Sequence, residues 1–171
     1  MENKTILKKR IFNEIKYIEK NLPQYIITEL NILNNITYIQ IITPKHNKLI
    51  FELSCDYPFK PPSYVKCNNK DYHYSLKKMP KTIEYLYYNK DDMYYQENKK
   101  ITLLNKTHCI CCDSLLCADN WSPSSTIYDI LNEISTHNKL KNKIMNKLIL
   151  KNIFDVFNLP LELIRNVYHF L

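Results

Sequence analysis

No glycine occurs anywhere in this 171-residue chain, and that absence limits what it can fold into more than any single motif does. Glycine is the usual residue for tight turns because it takes positive φ without steric cost. Here the task falls to Asn and Asp, which tolerate the left-handed region next best. Asn34-Asn35, Asn68-Asn69 and Asp91-Asp92 are therefore the predicted turns. The same composition is rich in Lys, Asn, Ile and Tyr, as an AT-rich genome would encode.

The length suits one core, since single domains run to roughly 100–200 residues, and one domain over residues 1–171 is expected. A net charge of +7 favours acidic partners, but a lysine-rich codon bias gives the same number, so charge alone does not argue for nucleic acid. With no apolar run of about 18 residues, no membrane span is expected. The opening Met1-Glu2-Asn3-Lys4 lacks a signal-peptide core. Six cysteines without such a signal imply a reducing compartment, where close cysteines are expected to be catalytic, metal-binding or buried rather than disulfide-bonded.

Leu7, Ile11, Ile15 and Ile18 recur at helical steps between Thr5 and Lys20. Three β-rich runs follow, "YIITELNIL", "ITYIQIIT" and "KLIFELSC", reading as an antiparallel meander with tight links. In the third, Leu49, Phe51 and Leu53 alternate with Ile50 and Glu52, as in a strand with one better-buried face. "DYPFKPP", Asp56 to Pro62, excludes helix and central strand and predicts a rigid extended crossing. Residues 74–107 are Lys- and Tyr-rich and read as an insertion, a loop with a helical or hairpin piece. A helix start is signalled from Ser122 by Pro123, with Ile127, Ile130, Leu131 and Ile134 on one face. An amphipathic tail covers 140–171, interrupted at Pro160.

Four of the six cysteines, Cys109, Cys111, Cys112 and Cys117, stand just before the single tryptophan, Trp121. Zinc sites pair ligands as C-x₂₋₄-C with a second pair well downstream. One crowded cluster with His108 and no second pair fits that pattern poorly. No metal and no cofactor is therefore expected. Cys109, Cys112 and Cys117, and Cys55 and Cys67 flanking the proline turn, read as small buried hydrophobes.

Two segments resemble the ubiquitin-conjugating enzyme family, carriers of ubiquitin as a thioester. The "YPFKPP" turn stands at Tyr57 to Pro62, and "WSPSSTIYDILNEI" at Trp121 to Ile134 matches the family's helix start after the active site. "ILKKRIFNEIKYI" looks like the family's first helix, and Ile110-Cys111-Cys112-Asp113-Ser114-Leu115 precedes the tryptophan as the family's acceptor segment does. The resemblance implies an α+β, UBC-like fold: an N-terminal helix, a four-stranded antiparallel meander, an extended active-site segment and C-terminal helices.

By the same resemblance Cys111 is the acceptor. In that register Ile110, Cys112 and Leu115 fill apolar slots and Asp113 a polar one. With Cys112 as acceptor, Asp113 would occupy an apolar slot. Such a thiol takes an acyl group from another enzyme's thioester and yields it to a lysine amine or a second thiol, chemistry suited to sulfur because Cys is partly thiolate near neutral pH. The family's "HPN" tripeptide has only a partial match in Tyr72-His73-Tyr74-Ser75. His73 matches its histidine, while Ser75, or Asn105 in the insertion, is the candidate substitute for its asparagine.

The resemblance further implies ubiquitin or a ubiquitin-like modifier as cargo. Lys8, Lys9 and Arg10 would form the helix face that the activating enzyme reads, and Phe59, Pro123 and Ser124 the surface that RING or HECT ligases grip. "NLPLELIRNVYHFL", Asn158 to Leu171, looks like the opening of an F-box, a motif that docks a Skp-type adaptor. An apolar helix of this kind is more often the domain's own last helix. The composition suggests a virus or an AT-rich unicellular parasite, and hence a host or parasite cytoplasm. The rival expectation is a catalytically inactive UBC-like binding module in the ubiquitin pathway, which the missing asparagine and the insertion favour.

Overall fold

The computed structural model describes residues 2–88 and 110–157. The chain is α+β. Helix α1 (Glu2–Asn21) leads into strands β1 (Ile26–Leu33), β2 (Ile36–Ile42), β3 (Lys48–Leu53), β4 (Tyr64–Cys67) and β5 (Lys70–Asp71). Helices α2 (Tyr72–Lys77) and α3 (Lys81–Tyr88) follow, then the single-turn helix α4 (Ile110–Asp113), a 3-10 turn at Ala118–Asn120 and the long α5 (Ile127–Phe157). No helix among the described residues is long and apolar enough to cross a membrane.

The five strands pair in sequence order, each antiparallel to the next. Two-residue hairpin loops of type I′ need positive φ at both centres, and the asparagine pairs supply it: φ is 49° and 65° at Asn34-Asn35, and again 49° and 65° at Asn68-Asn69. Asp91-Asp92 lies outside the described residues. The second hairpin corrects the expected four-stranded meander, because the Asn68-Asn69 turn folds Lys70–Asp71 back on Lys66–Cys67 as a fifth strand.

Period-2 alternation sets the buried face of the sheet. Thr37, Ile39 and Ile41 on β2 stand opposite Leu53, Phe51 and Leu49 on β3, and Phe51 opposite Val65 on β4. All seven are buried. On α1, Ile11, Ile15 and Ile18 are buried and Leu7 half-buried, the stripe its spacing predicts.

The chain falls into two compact units: one of Met1–Lys78 and Thr107–Glu133, the other of Met79–Lys106 and Ile134–Leu171. The second is drawn from two stretches that overlap the Tyr-rich insertion and the C-terminal tail. Within it, Ile83 and Leu86 on α3 form a buried cluster with Ile144 on α5, joined by Met79, Tyr87, Leu140 and Leu148. Ser135, Thr136 and His137 lie inside α5, where the His137 ring meets the edge of Tyr87 at 5.5 Å. The described part of the insertion is thus helical. The F-box-like segment 158–171 and Asn105 lie outside the described residues.

Three local expectations are corrected. "DYPFKPP" begins as a compact turn and not as an extended crossing: Tyr57 N–H donates to Ser54 O, and Phe59 and Lys60 N–H to Asp56 O, around a cis Tyr57-Pro58 bond. Helix α5 begins at Ile127, later than the expected start at Ser122. The stretch Ser122–Ser125 closes its own turn at 2.8 Å, and the helix is capped beyond it. There Asp129 N–H donates to Thr126 Oγ1 at 3.3 Å, while Thr126 N–H and Oγ1 each donate to Asp129 Oδ2 at 2.8 Å, a reciprocal cap that satisfies orphan donors of the first turn. Where an extended active-site segment was expected, the described residues form α4 and successive tight turns.

Candidate functional site

The first unit is organised around a buried carboxylate on the apolar face of α1. Glu14 is only 5 % exposed. It accepts from Arg10 Nε at 2.5 Å, from the Tyr57 hydroxyl at 2.8 and 2.7 Å, and from Ile127 N–H at 2.9 Å. An ionised carboxylate away from water is tolerated when such donors surround it. Burial, and then the charge and acceptor oxygens of Glu14, push the Tyr57 phenol well above the ordinary tyrosine value. Glu14 therefore ties α1, the proline turn and the start of α5 to one point.

That anchor sets the second link. The indole N–H of Trp121 donates to Pro58 O at 2.7 Å, and the Tyr57 and Trp121 rings lie 5.9 Å apart. Arg10 completes the bracket by donating to Pro123 O and Ser125 O at 3.4 and 3.2 Å. Its guanidinium is spent on these bonds, whereas Lys8 and Lys9 are exposed. Phe59 is 78 % exposed, which excludes an ordinary packed aromatic, and Pro123 and Ser124 are exposed beside Trp121. Exposed Lys60 pairs with Asp56 at 2.7 Å and holds its carboxyl below the usual value.

Just before Trp121 lies the turn that carries the cysteine pair. In α4 successive side chains are about 100° apart, so with Ile110 and Cys111 facing inward Cys112 must face out. Cys111 is 6 % exposed and disulfide-bonded, which corrects the expectation of cysteines without disulfides, while Cys112 is exposed and outside any disulfide. The expectation of small buried cysteines is corrected at four positions. Cys55 and Cys112 are exposed, and Cys67 and Cys117 half-buried, because each lies in a turn, on the outer side of α4 or at a strand end. Burial raises the Cys67 thiol, which makes it a poor nucleophile at neutral pH. His108 and Cys109 lie outside the described residues.

Three side chains from elsewhere reach this turn. His73 on α2 contacts Cys111 O through Nε2 at 3.1 Å; a carbonyl only accepts, so Nε2 carries the proton. Asn120 Nδ2 donates to Cys112 O and, at 3.1 Å, to Ser114 O. Glu133 on α5 accepts from Leu115 N–H and from Ser114 Oγ, both at 2.7 Å, and from the Tyr72 hydroxyl at 3.3 Å. Two positions of the partial tripeptide match fall among the described residues, and Asn105 lies outside them. His73 reaches the cysteine turn, whereas the Ser75 hydroxyl donates to Asp71 O at 2.5 Å and closes its own helical turn. Among the described residues, a side-chain amide is brought to the turn by Asn120.

Sequence reasoning missed Glu14, Asn120 and Glu133. Glu14 carried a signal, since it adjoins Ile15 and lies three residues from Ile11 and four from Ile18. Asn120 and Glu133 are polar residues in polar surroundings, and only the fold reveals their partners. No family model, no curated protein and no solved structure matches this chain.

Proposed function

We propose that this chain is an acyl carrier of the ubiquitin-conjugating type, holding ubiquitin or a related modifier as a thioester on the cysteine pair of α4. The observation that supports it is the bond from Trp121 to Pro58. It joins the two segments on which the resemblance rests, and Asn120, beside Trp121, bonds the turn that holds the cysteines. Register with Trp121 assigns the acceptor to Cys111. In the step itself, a thiolate attacks the carbonyl of the incoming thioester, an oxyanion forms, and collapse expels the donor thiolate, so no oxidant or reductant is consumed. Exposed Lys8 and Lys9 suit the activating enzyme, and exposed Phe59, Pro123 and Ser124 suit a RING or HECT ligase.

A specific observation favours a second reading, a non-catalytic binding module. Cys111 is buried and disulfide-bonded, and a sulfur in that state cannot attack until the bond is reduced. Cys112 is the exposed cysteine of the pair and stands outside any disulfide. The deciding assay pre-reduces the full chain, removes the reductant and adds activating enzyme, ATP and modifier. A thiol-sensitive adduct lost in Cys111→Ser supports the acyl carrier with the acceptor in the Trp121 register. Loss in Cys112→Ser instead moves the acceptor by one residue. No adduct with any common ubiquitin-like modifier sinks the carrier reading and leaves the binding module.

A further inference from the structure

A helix of one turn has no stability of its own, and the last carbonyls of any helix lack intrahelical partners. Helix α4 spans only Ile110–Asp113, yet its main chain and that just beyond it are satisfied from three directions. His73 serves Cys111 O, Asn120 serves Cys112 O and Ser114 O, and Glu133 serves Leu115 N–H together with the buried Ser114 hydroxyl. The donors and acceptors come from α2, the 3-10 turn and α5, with His73 separated from Cys111 by 38 residues. Cys111 is also disulfide-bonded, so what these bonds contribute to its inward position is read on the reduced chain.

We propose that His73, Asn120 and Glu133 are positioning residues that clamp the cysteine turn, keeping Cys111 inward and Cys112 outward. They act through the main chain of the turn and touch neither sulfur in the bonds described. The clamp stands on geometry alone; only its effect on modifier transfer rests on the proposed function.

The test uses the full chain, reduced, with Cys112→Ser so that Cys111 alone reports for the pair, and the exposed Cys55 as internal reference. Alkylation by iodoacetamide is followed at each cysteine by mass spectrometry. Asn120→Ala, His73→Ala and Glu133→Gln should each raise the Cys111 rate by about tenfold relative to Cys55, as expected when one or two hydrogen bonds to the turn are lost. A Cys111 rate that stays fixed in all three variants overturns the clamp. So does acceleration of half-buried Cys67 in step with Cys111, because that reports general unfolding. In chains with both cysteines of the pair present, transfer from the loaded thioester to free lysine should fall by about a hundredfold in kcat with KM unchanged, the size of a misplaced reacting group. If the parent chain never loads, the proposed function fails while the alkylation result still decides the clamp.

Discussion

The Tyr57 hydroxyl lies 2.8 and 2.7 Å from the two carboxylate oxygens of Glu14 and donates to them from 43 residues away. The proline turn and the first helix are thus held by one charge-assisted bond, inside a core where unpaired partners would be costly. Tyr57→Phe should cost about 1–3 kcal/mol at neutral pH, because Glu14 loses a donor while remaining buried. The pH dependence follows from the raised phenol. Since the folded pKa lies above the unfolded one, the stabilisation is fully present below about pH 10 and is lost as pH rises beyond it. Denaturant titrations of parent and Tyr57→Phe chains at neutral and alkaline pH check this; an unchanged alkaline slope in the variant would refute the assignment.

The asparagine turns make a second prediction. A non-glycine residue in the left-handed region costs roughly 1–2 kcal/mol, and Asn pays less than most. Asn35→Val and Asn69→Val should each lower stability by about that amount. Asn35→Gly should leave it unchanged or slightly raised, since glycine takes positive φ freely. Urea midpoints at matched slope give the answer.

Phe59 separates folding from docking. With 78 % of its surface exposed, Phe59→Ala should change stability by no more than about 0.5 kcal/mol, the usual range for surface substitutions. On the proposed function it should depress ligase-stimulated transfer while leaving loading intact. Loss of several kcal/mol would instead mean that the ring is a packed core residue.

Ile144 tests the second unit. It is 4 % exposed and clusters with Ile83 and Leu86. Ile144→Ala should cost about 2–5 kcal/mol where it packs, and hydrogen exchange should read this as faster exchange across Lys81–Tyr88. Strands β2 and β3 should keep their protection. Equal loosening of both regions would argue against a separate α3–α5 cluster.

Where the sequence was legible, local physics was decisive. The asparagine pairs at 34–35 and 68–69 take positive φ because no glycine competes for the task, and the period-2 pattern of Leu49, Phe51 and Leu53 reads the buried face directly. The start of α5 was less legible. Pro123 is a valid helix-start signal, but the reciprocal cap between Thr126 and Asp129 outweighs it and shifts the boundary. The candidate site was legible as a spacing of Cys111, Trp121 and the proline turn, and not as an environment.

By itself, then, the sequence determined the first helix, the meander of β1 to β3, the asparagine turns at 34–35 and 68–69 and the buried faces of α1, β2 and β3, because these follow from φ preferences and from the periods of strand and helix. Only the tertiary structure decided that Glu14 would be an internal anchor, that Arg10 would be occupied, and that Asn120, not Ser75, would bring its side chain to the cysteine turn. It also decided that Cys111 faces inward and Cys112 outward. Such choices depend on hydrogen-bond partners from six residues away for Asn120 to 115 for Arg10, and a polar side chain carries no local mark of the partner it will meet once the chain has closed around it.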